Sequence, residues 1–383
     1  MAVFGGGIAG LWLLHRLRRL GFDALLFESG HLGGGQTLAS QGIIHSGVKY
    51  TFDNVIRPQA QSLAAMPKIW MDCIEGVGEL DLRGTKILAR HQLLFTGGGL
   101  AGRMAGLASK ALRSASEPLP PGEYPELFAA PEFRGQIFRL HEPVLDTRSV
   151  LRALSSPSAL RARPKEIRRK GESVTQIVFD DAAETVILPK AAVFAAGAGN
   201  EWFAAQLGLD PAKTTQRRPL RMFLARGLPP RLYAHYLAPD PKPRVTITSH
   251  DCLGENVWYI GGNVAEKAVG MSDDDALRWA HSELTDIFPW LDWKAVPWAI
   301  YDVDRAEPSA SKLLPGGPVL RPVGNAALAW PSKLALAPAL ADQVLRWLQE
   351  RKMSPSHRTT TLPFPPAQPG QYPWEEVRAW KKL

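Results

Sequence analysis

Cysteine is almost absent. The 383 residues hold two, Cys73 and Cys252, at no spacing that suggests zinc or an iron–sulfur cluster. This excludes a disulfide framework as the basis of the fold, and a reducing cytoplasm fits. Long apolar runs are missing as well. No stretch gives the roughly 18 to 20 uninterrupted apolar residues of a membrane span. Met1–Leu14 is apolar but has no basic flank and no small-residue cleavage site, so it reads as a fold element and not as a signal peptide. No internal repeat is visible, which sets aside solenoids and propellers. Acid is in deficit, with 37 Asp and Glu against 45 Lys and Arg, a net charge of +8. That surplus suits anionic small molecules, nucleic acid or a peripheral place at the inner face of a membrane. It suits a plain solvated surface equally. The basic clusters Arg161–Lys170 and Arg217–Arg221 are interrupted by proline and apolar residues, unlike a disordered tail.

What is present begins at the first residues. Val3-Phe4-Gly5-Gly6-Gly7-Ile8-Ala9-Gly10 is a short apolar strand followed by G-x-G-x-x-G, opening an apolar helix that runs from Leu11 to about Leu20. Gly5 allows the tight turn, Gly7 lets a pyrophosphate approach the backbone, and Gly10 lets the helix pack on the strand. The N–H groups of the first turn, around Ile8 and Ala9, then point at the phosphates. Ala24-Leu25-Leu26-Phe27 is a second buried strand, ending in Glu28 and Ser29. Glu28 is the acid, roughly 20 positions on, that takes ribose hydroxyls. Strand, glycines, helix, strand and carboxylate together define a dinucleotide-binding fold. The brevity of the first strand is what a chain lacking a few upstream residues would show.

The stretch from Gly33 to Tyr50 is rich in glycine and small polar residues. Its pattern S-x-G-x-x-H-x-G-x-x-Y, from Ser40 to Tyr50, resembles the flavin-contacting segment of the D-amino-acid-oxidase-like FAD oxidoreductases. Within that group it is most like the hydroxyglutarate and glycerophosphate types. The resemblance implies that Gln36, Thr37 and Ser40 serve the pyrophosphate and ribityl chain, and that Gln41, Gly42, Ile43, Ile44 and His45 run along the isoalloxazine. NAD proteins need no such segment at this point, so the expected cofactor is FAD, held non-covalently, with attachment through His45 as the other option. Ala191–Asn200, an apolar strand entering A-A-G-A-G, resembles the family's second FAD motif and implicates Ala196, Gly197 and Gly199. Relatives enter the C-terminal helix through a glycine-rich turn that presents N–H groups to the flavin pyrimidine. Here the turn is Ala329-Trp330-Pro331-Ser332-Lys333-Leu334. A different backbone path is therefore expected at Ser332 and Leu334, with Lys333 supplying positive charge.

The expected fold is a Rossmann-type α/β FAD-binding domain with a second, substrate domain built on a mainly antiparallel sheet with flanking helices. The cofactor domain is discontinuous, at 1–85, 142–220 and 310–353. The substrate domain takes 86–141 and 221–309, and 354–383 is a surface arm. A helix is expected from Asn54 to about Cys73, kinked at Pro67, and another over Arg103–Leu112.

The family's chemistry, as the resemblance implies it, moves a hydride from a C–H bond beside an amine or hydroxyl to the flavin. His45 is the candidate base, or else packs against the ring. Lys49 is a candidate activator of water or oxygen, or a surface cation. Arg305 lies in V-D-R-A-E-P, where glycine-oxidase-like sequences have G-x-R-P with an arginine that pairs the substrate carboxylate. The other reading is an ion pair with Asp304 or Glu307. His250 and Tyr259 are further cavity candidates. The expected substrate is a small amino acid or secondary amine carboxylate, with oxygen or a quinone as electron acceptor. Other readings are a 2-hydroxy acid, an amine attached to tRNA, and an idle FAD-binding subunit.

Overall fold

The computed structural model describes residues 1–47, 63–98, 116–228, 230–238, 242–309 and 317–383. Its first sheet has six strands, in the order Val319–Val323, Ala326–Trp330, Ala192–Phe194, Ala2–Phe4, Leu25–Glu28 and Ala159–Arg161. All pairings are parallel except at the Val319–Val323 edge. The central strand Ala2–Phe4 is buried on both faces, which is why it reads as an unbroken apolar run. One face packs on the helices Ile8–Arg19 and Ala337–Glu350. On the other, Phe4, Phe27, Phe179, Phe194 and Phe203 form an aromatic layer. That layer rests on a three-stranded antiparallel sheet of Pro164–Lys170, Ser173–Phe179 and Val186–Ile187. The basic cluster Arg161–Lys170 is thus mostly strand, with its cations facing outward.

The second sheet is large. Its order is Lys381–Lys382, Pro297–Pro308, Thr215–Arg226, Glu255–Gly261, Val245–Cys252, Ala234–Leu237, Gln92–Thr96, Ile137–Leu140 and Ser116–Pro118. It is antiparallel apart from the pairing of Ala234–Leu237 with Gln92–Thr96. The strand Ala234–Leu237 was not legible as one. The helix Asp273–Ile287, capped by Ser272, covers one face. The other face looks toward the first sheet and carries Tyr259, Met222, Leu224 and Ala299.

Several expectations need correction. The boundary expected between 220 and 221 falls inside the continuous strand Thr215–Arg226, because its full length pairs with Pro297–Pro308. Pro67 sits in the first turn of Met66–Ile74, where its missing N–H costs nothing. The stretch 48–62, with the expected helix start at Asn54, and the helix expected over Arg103–Leu112 lie outside the described residues.

The C-terminal segment 354–383 is mostly exposed and is tied down at several points. Thr360 bonds the Asp23 carboxylate, Tyr372 bonds Asp146, Tyr301 bonds Glu376, and Lys381–Lys382 extends the large sheet. Among the described residues no helix is long and apolar enough to cross a membrane.

Candidate active site

The glycine turn joins the first strand to the first helix. Gly5 has φ +104, and a Cβ there would lie 2.4 Å from the carbonyl oxygen of Ala195. A Cβ on Gly10 would lie 2.0 Å from the carbonyl oxygen of Gly5. Both must be glycine for the turn to close. At Gly7 only Thr37 Oγ1 comes near among the described residues, at 3.2 Å, so the backbone there is open to approach. The helix Ile8–Arg19 has no acid in its first turn and no side chain capping at Gly7. Thr37 Oγ1 accepts from Ile8 N at 3.1 Å. Ala9 is buried beside it. The result is an open helix N-terminus of the kind that receives phosphate.

Glu28 closes the far side. Its two carboxylate oxygens accept from Gly6 N at 2.6 Å and Gly30 N at 2.7 Å. Each oxygen keeps a second lone pair, which suits a ribose hydroxyl. Ser29, beside it, is exposed. Phe27 offers no side chain here: its ring stacks on Phe4 at 5.2 Å, and its carbonyl accepts from Gly5 N. Phe27 is a packing residue, because alternation along the strand turns it away from the helix face.

The second glycine motif comes to the first. Ala195 N donates to Phe4 O, and Gly197, with φ +56, faces the Gln36 amide. Asn200 fixes the turn, accepting from Ala196 N and donating to Ala329 O. Gly199 is exposed at its end.

From Ser40 to Ser46 the chain passes between the two sheets. Ser40 Oγ donates to Thr37 O and accepts from Gly42 N. Gly42, φ +70, approaches Leu145 so closely that a Cβ would lie 2.2 Å from its oxygen. Ile43 bridges to Val144, and Ile44 is fully buried. The Gln41 amide donates to Thr246 O and Tyr259 O, both at 3.0 Å, tying this segment to the large sheet.

His45 is half-buried and has a partner that sequence reasoning missed. Its Nδ1 lies 2.9 Å from Oε2 of Glu142, whose side chain is fully buried. The other oxygen, Oε1, accepts from both N and Oγ of Ser46. His235, fully buried, has its ring 6.3 Å from that of His45, and its Nδ1 meets Thr246 Oγ1 at 2.8 Å. Lys333 belongs to the same neighbourhood. Burial lowers its pKa to about 8, and the Glu142 charge pulls against that shift. The altered turn does take a strained path. Ser332 has φ +62, in the left-handed region that favours glycine, and its Oγ donates to Gly317 O. Leu334 begins the short 3-10 turn Leu334–Leu336 before the helix.

Other candidates fall elsewhere. Tyr259 is fully buried and donates its hydroxyl to Ala39 O at 2.9 Å, so it is a strut and not a cavity residue. His250 stacks on Trp374 beneath the C-terminal arm. Lys49 lies outside the described residues. Arg305 pairs with neither neighbour: Asp304 goes to Arg217, Glu307 to Arg218, and Arg305 Nη1 to Glu266 at 3.1 Å. Alternation puts Arg305 on the same strand face as Val303 and Tyr301, beside Arg218. Its Nε is buried without a partner among the described residues.

A mainly parallel sheet with an open helix N-terminus, an acid at the end of its second strand and a second glycine turn is the arrangement of a dinucleotide-binding domain. The FAD dependent oxidoreductase family matches residues 1–331, and the chain belongs to that family. A probable FAD-dependent oxidoreductase of Pseudomonas aeruginosa is 41% identical over 97% of this chain and 96% of its own. The crystal structure of an FAD dependent oxidoreductase of that organism matches with TM-score 0.83 and 37% identity, covering 98% of this chain and 96% of the other. Glycine oxidase of Geobacillus kaustophilus matches with TM-score 0.65 at 17% identity, over 94% and 98% of the two chains. L-alpha-glycerophosphate oxidase of Mycoplasma pneumoniae, with FAD bound, does so with TM-score 0.65 at 14%, over 91% and 94%. The last two share the fold. FAD is thus the cofactor, and the protein is an FAD-dependent oxidoreductase.

Proposed function

We propose that the chain oxidises a small carboxylate-bearing substrate at a carbon that carries a hydroxyl, as in a 2-hydroxy acid. FAD, when bound, supplies the acceptor for the hydride. The residues named from Gly5 to Gly10, Glu28, Gln36 to Ile44, Ala196 to Gly199 and Ser332 to Leu334 would hold it.

The observation that carries this reading is the His45–Glu142 pair. A buried carboxylate at Nδ1 fixes the tautomer with the proton on that nitrogen. Nε2 then carries the lone pair and can take a proton. Oxidising an alcohol needs a base for the hydroxyl proton, whereas a neutral amine needs only alignment. Arg305, whose buried Nε finds no partner among the described residues, supports an anionic substrate group on the same face of the large sheet.

An amino acid or secondary amine carboxylate is the second reading. It rests on the placing of Arg305, where glycine-oxidase-like sequences carry their arginine. The His45 base would then remove the ammonium proton before oxidation.

Anaerobic bleaching of the flavin with matched pairs tests the choice. Lactate against alanine, glycolate against glycine and 2-hydroxyglutarate against glutamate form such a set. Bleaching by a hydroxy acid alone supports the first reading. Bleaching only by the amino acid partner overturns it.

A further inference from the structure

From 354 to 361 the C-terminal chain is exposed, and beyond it Ala367, Tyr372, Pro373 and Trp374 are buried. These anchors reach the residues named above for FAD from three directions.

The first contact is with Leu32. Its N donates to Gln368 O at 2.8 Å, and its O accepts from Gly370 N at 3.0 Å. On the other side of this loop Gly33 N donates to Gly6 O at 2.9 Å. The Leu32 side chain is so close that a Cβ on Gly6 would lie 2.7 Å from it. Gly6 N is in turn a donor to Glu28. The second contact is with Asp146 and Arg148. Tyr372 Oη donates to Asp146 Oδ1 at 2.9 Å and accepts from Arg148 N at 2.8 Å. The Arg148 guanidinium lies 4.6 Å from the Tyr372 ring centroid and gives two hydrogen bonds to Glu375. Leu145, just before Asp146, donates its N to Gly42 O at 2.9 Å. The third contact is with the large sheet. Trp374 stacks on His250 at 4.0 Å and meets Tyr259 edge-on at 5.6 Å. The Tyr259 hydroxyl donates to Ala39 O at 2.9 Å.

The arm therefore braces the glycine turn beside Glu28, and it braces the flavin-facing segment at Ala39 and at Gly42. An extended segment with a few buried anchors opens locally at lower cost than the sheets it lies on. Bound FAD would order the residues that the arm braces. Two events that order the same residues favour one another, and the coupling is reciprocal.

We infer that the C-terminal arm is a clasp on the cofactor site: docking of residues 366–376 and binding of FAD stabilise each other. The clasp acts on how firmly the flavin is held, since none of its contacts reaches the His45–Glu142 pair or Arg305 directly.

Hydrogen exchange followed by mass spectrometry, on the full chain with FAD and stripped of it, is the test. FAD should slow exchange about 5- to 150-fold in the peptides covering Leu32 and 366–376, the usual range of coupling between linked sites. The helix Asp273–Ile287, on the far face of the large sheet, should change little. Tyr372→Phe keeps the ring and removes the hydroxyl that bonds Asp146 and Arg148. It should speed exchange in 366–376 and weaken FAD binding about 2- to 10-fold, the worth of a net hydrogen bond. Exchange in 366–376 that is the same with and without FAD overturns the clasp. So does equal slowing in Asp273–Ile287, which is general stabilisation. FAD affinity in Tyr372→Phe equal to that of the parent also overturns it.

Discussion

Glu142 and His45 are 97 residues apart in sequence, yet carboxylate oxygen and imidazole nitrogen sit 2.9 Å apart. The remaining oxygen of Glu142 takes two hydrogen bonds from Ser46. The ring that would accept the substrate proton is therefore oriented from outside the flavin-facing segment.

Glu142→Gln keeps the shape and removes the charge. An anion beside an imidazole favours its protonated form, so without it the acid limb of the pH–rate profile should move to lower pH. The plateau rate of flavin reduction should fall about tenfold to a hundredfold, as the base becomes weaker and less well oriented. A profile identical to that of the parent protein, measured by rapid mixing over pH 5–9, would show that Glu142 is structural only.

Glu28→Ala should weaken FAD binding by about 1.5–3 kcal/mol, the worth of hydrogen bonds to a charged group. The change also strips Gly6 N and Gly30 N of their acceptor, so the glycine turn loosens with it. Fluorescence titration of the stripped protein with FAD measures the loss. Equal affinity in parent and variant would remove Glu28 from the ribose site.

Lys333 gives a stability term that depends on pH. Its folded pKa is lowered to about 8, from an ordinary 10.5. Between those values the unfolded chain binds the proton and the folded chain does not, so this term rises as pH rises through the window. Below about pH 8 the folded protein carries the full cost of a poorly hydrated ammonium. Lys333→Met should therefore raise the Tm of the stripped protein more at pH 7 than at pH 10. A Tm difference that stays constant from pH 7 to pH 10 would refute the shift.

Arg305→Ala should raise the KM of a carboxylate substrate about 10- to 150-fold, the range for a charge-assisted pair. Its effect on folding should be small, below about 1 kcal/mol, because the pair with Glu266 is partly exposed and Glu266 retains Lys242. Steady-state kinetics together with urea unfolding separate the two effects. An unchanged KM would leave Arg305 as a structural partner of Glu266.

The cofactor half of the site was legible because local pattern carries it. A buried parallel strand, three glycines with fixed tasks and an acid at the end of the next strand lie within the first 28 residues. The roof was less legible. Glu142 stands in Leu140-His141-Glu142-Pro143 after an ordinary strand, and nothing local says which side chain it will meet. Arg305 has acids on either side in sequence, but strand alternation sends Asp304 to the opposite face, and Glu307 pairs diagonally with Arg218, the residue directly across from Arg305. Its partner Glu266 lies on another element. Ser332 shows the converse. The loss of glycine was visible, but only the structure shows that Ser332 adopts the left-handed conformation.

The strand order of the cofactor sheet bears on how the protein is made. Phe4 pairs with Phe194, and Phe194 in turn with Leu328. At synthesis rates of about 5–20 residues per second, the central strand meets Leu25–Glu28 early but waits roughly 10 to 40 seconds for its other neighbour, Ala192–Phe194, and longer for that neighbour's own partner. For that time the glycine turn lacks its Ala195 wall. A nascent chain therefore cannot use FAD as an early template. Flavin capture belongs to the nearly finished polypeptide, and until then the edge of Ala2–Phe4 that awaits Ala192–Phe194 needs shelter from other chains.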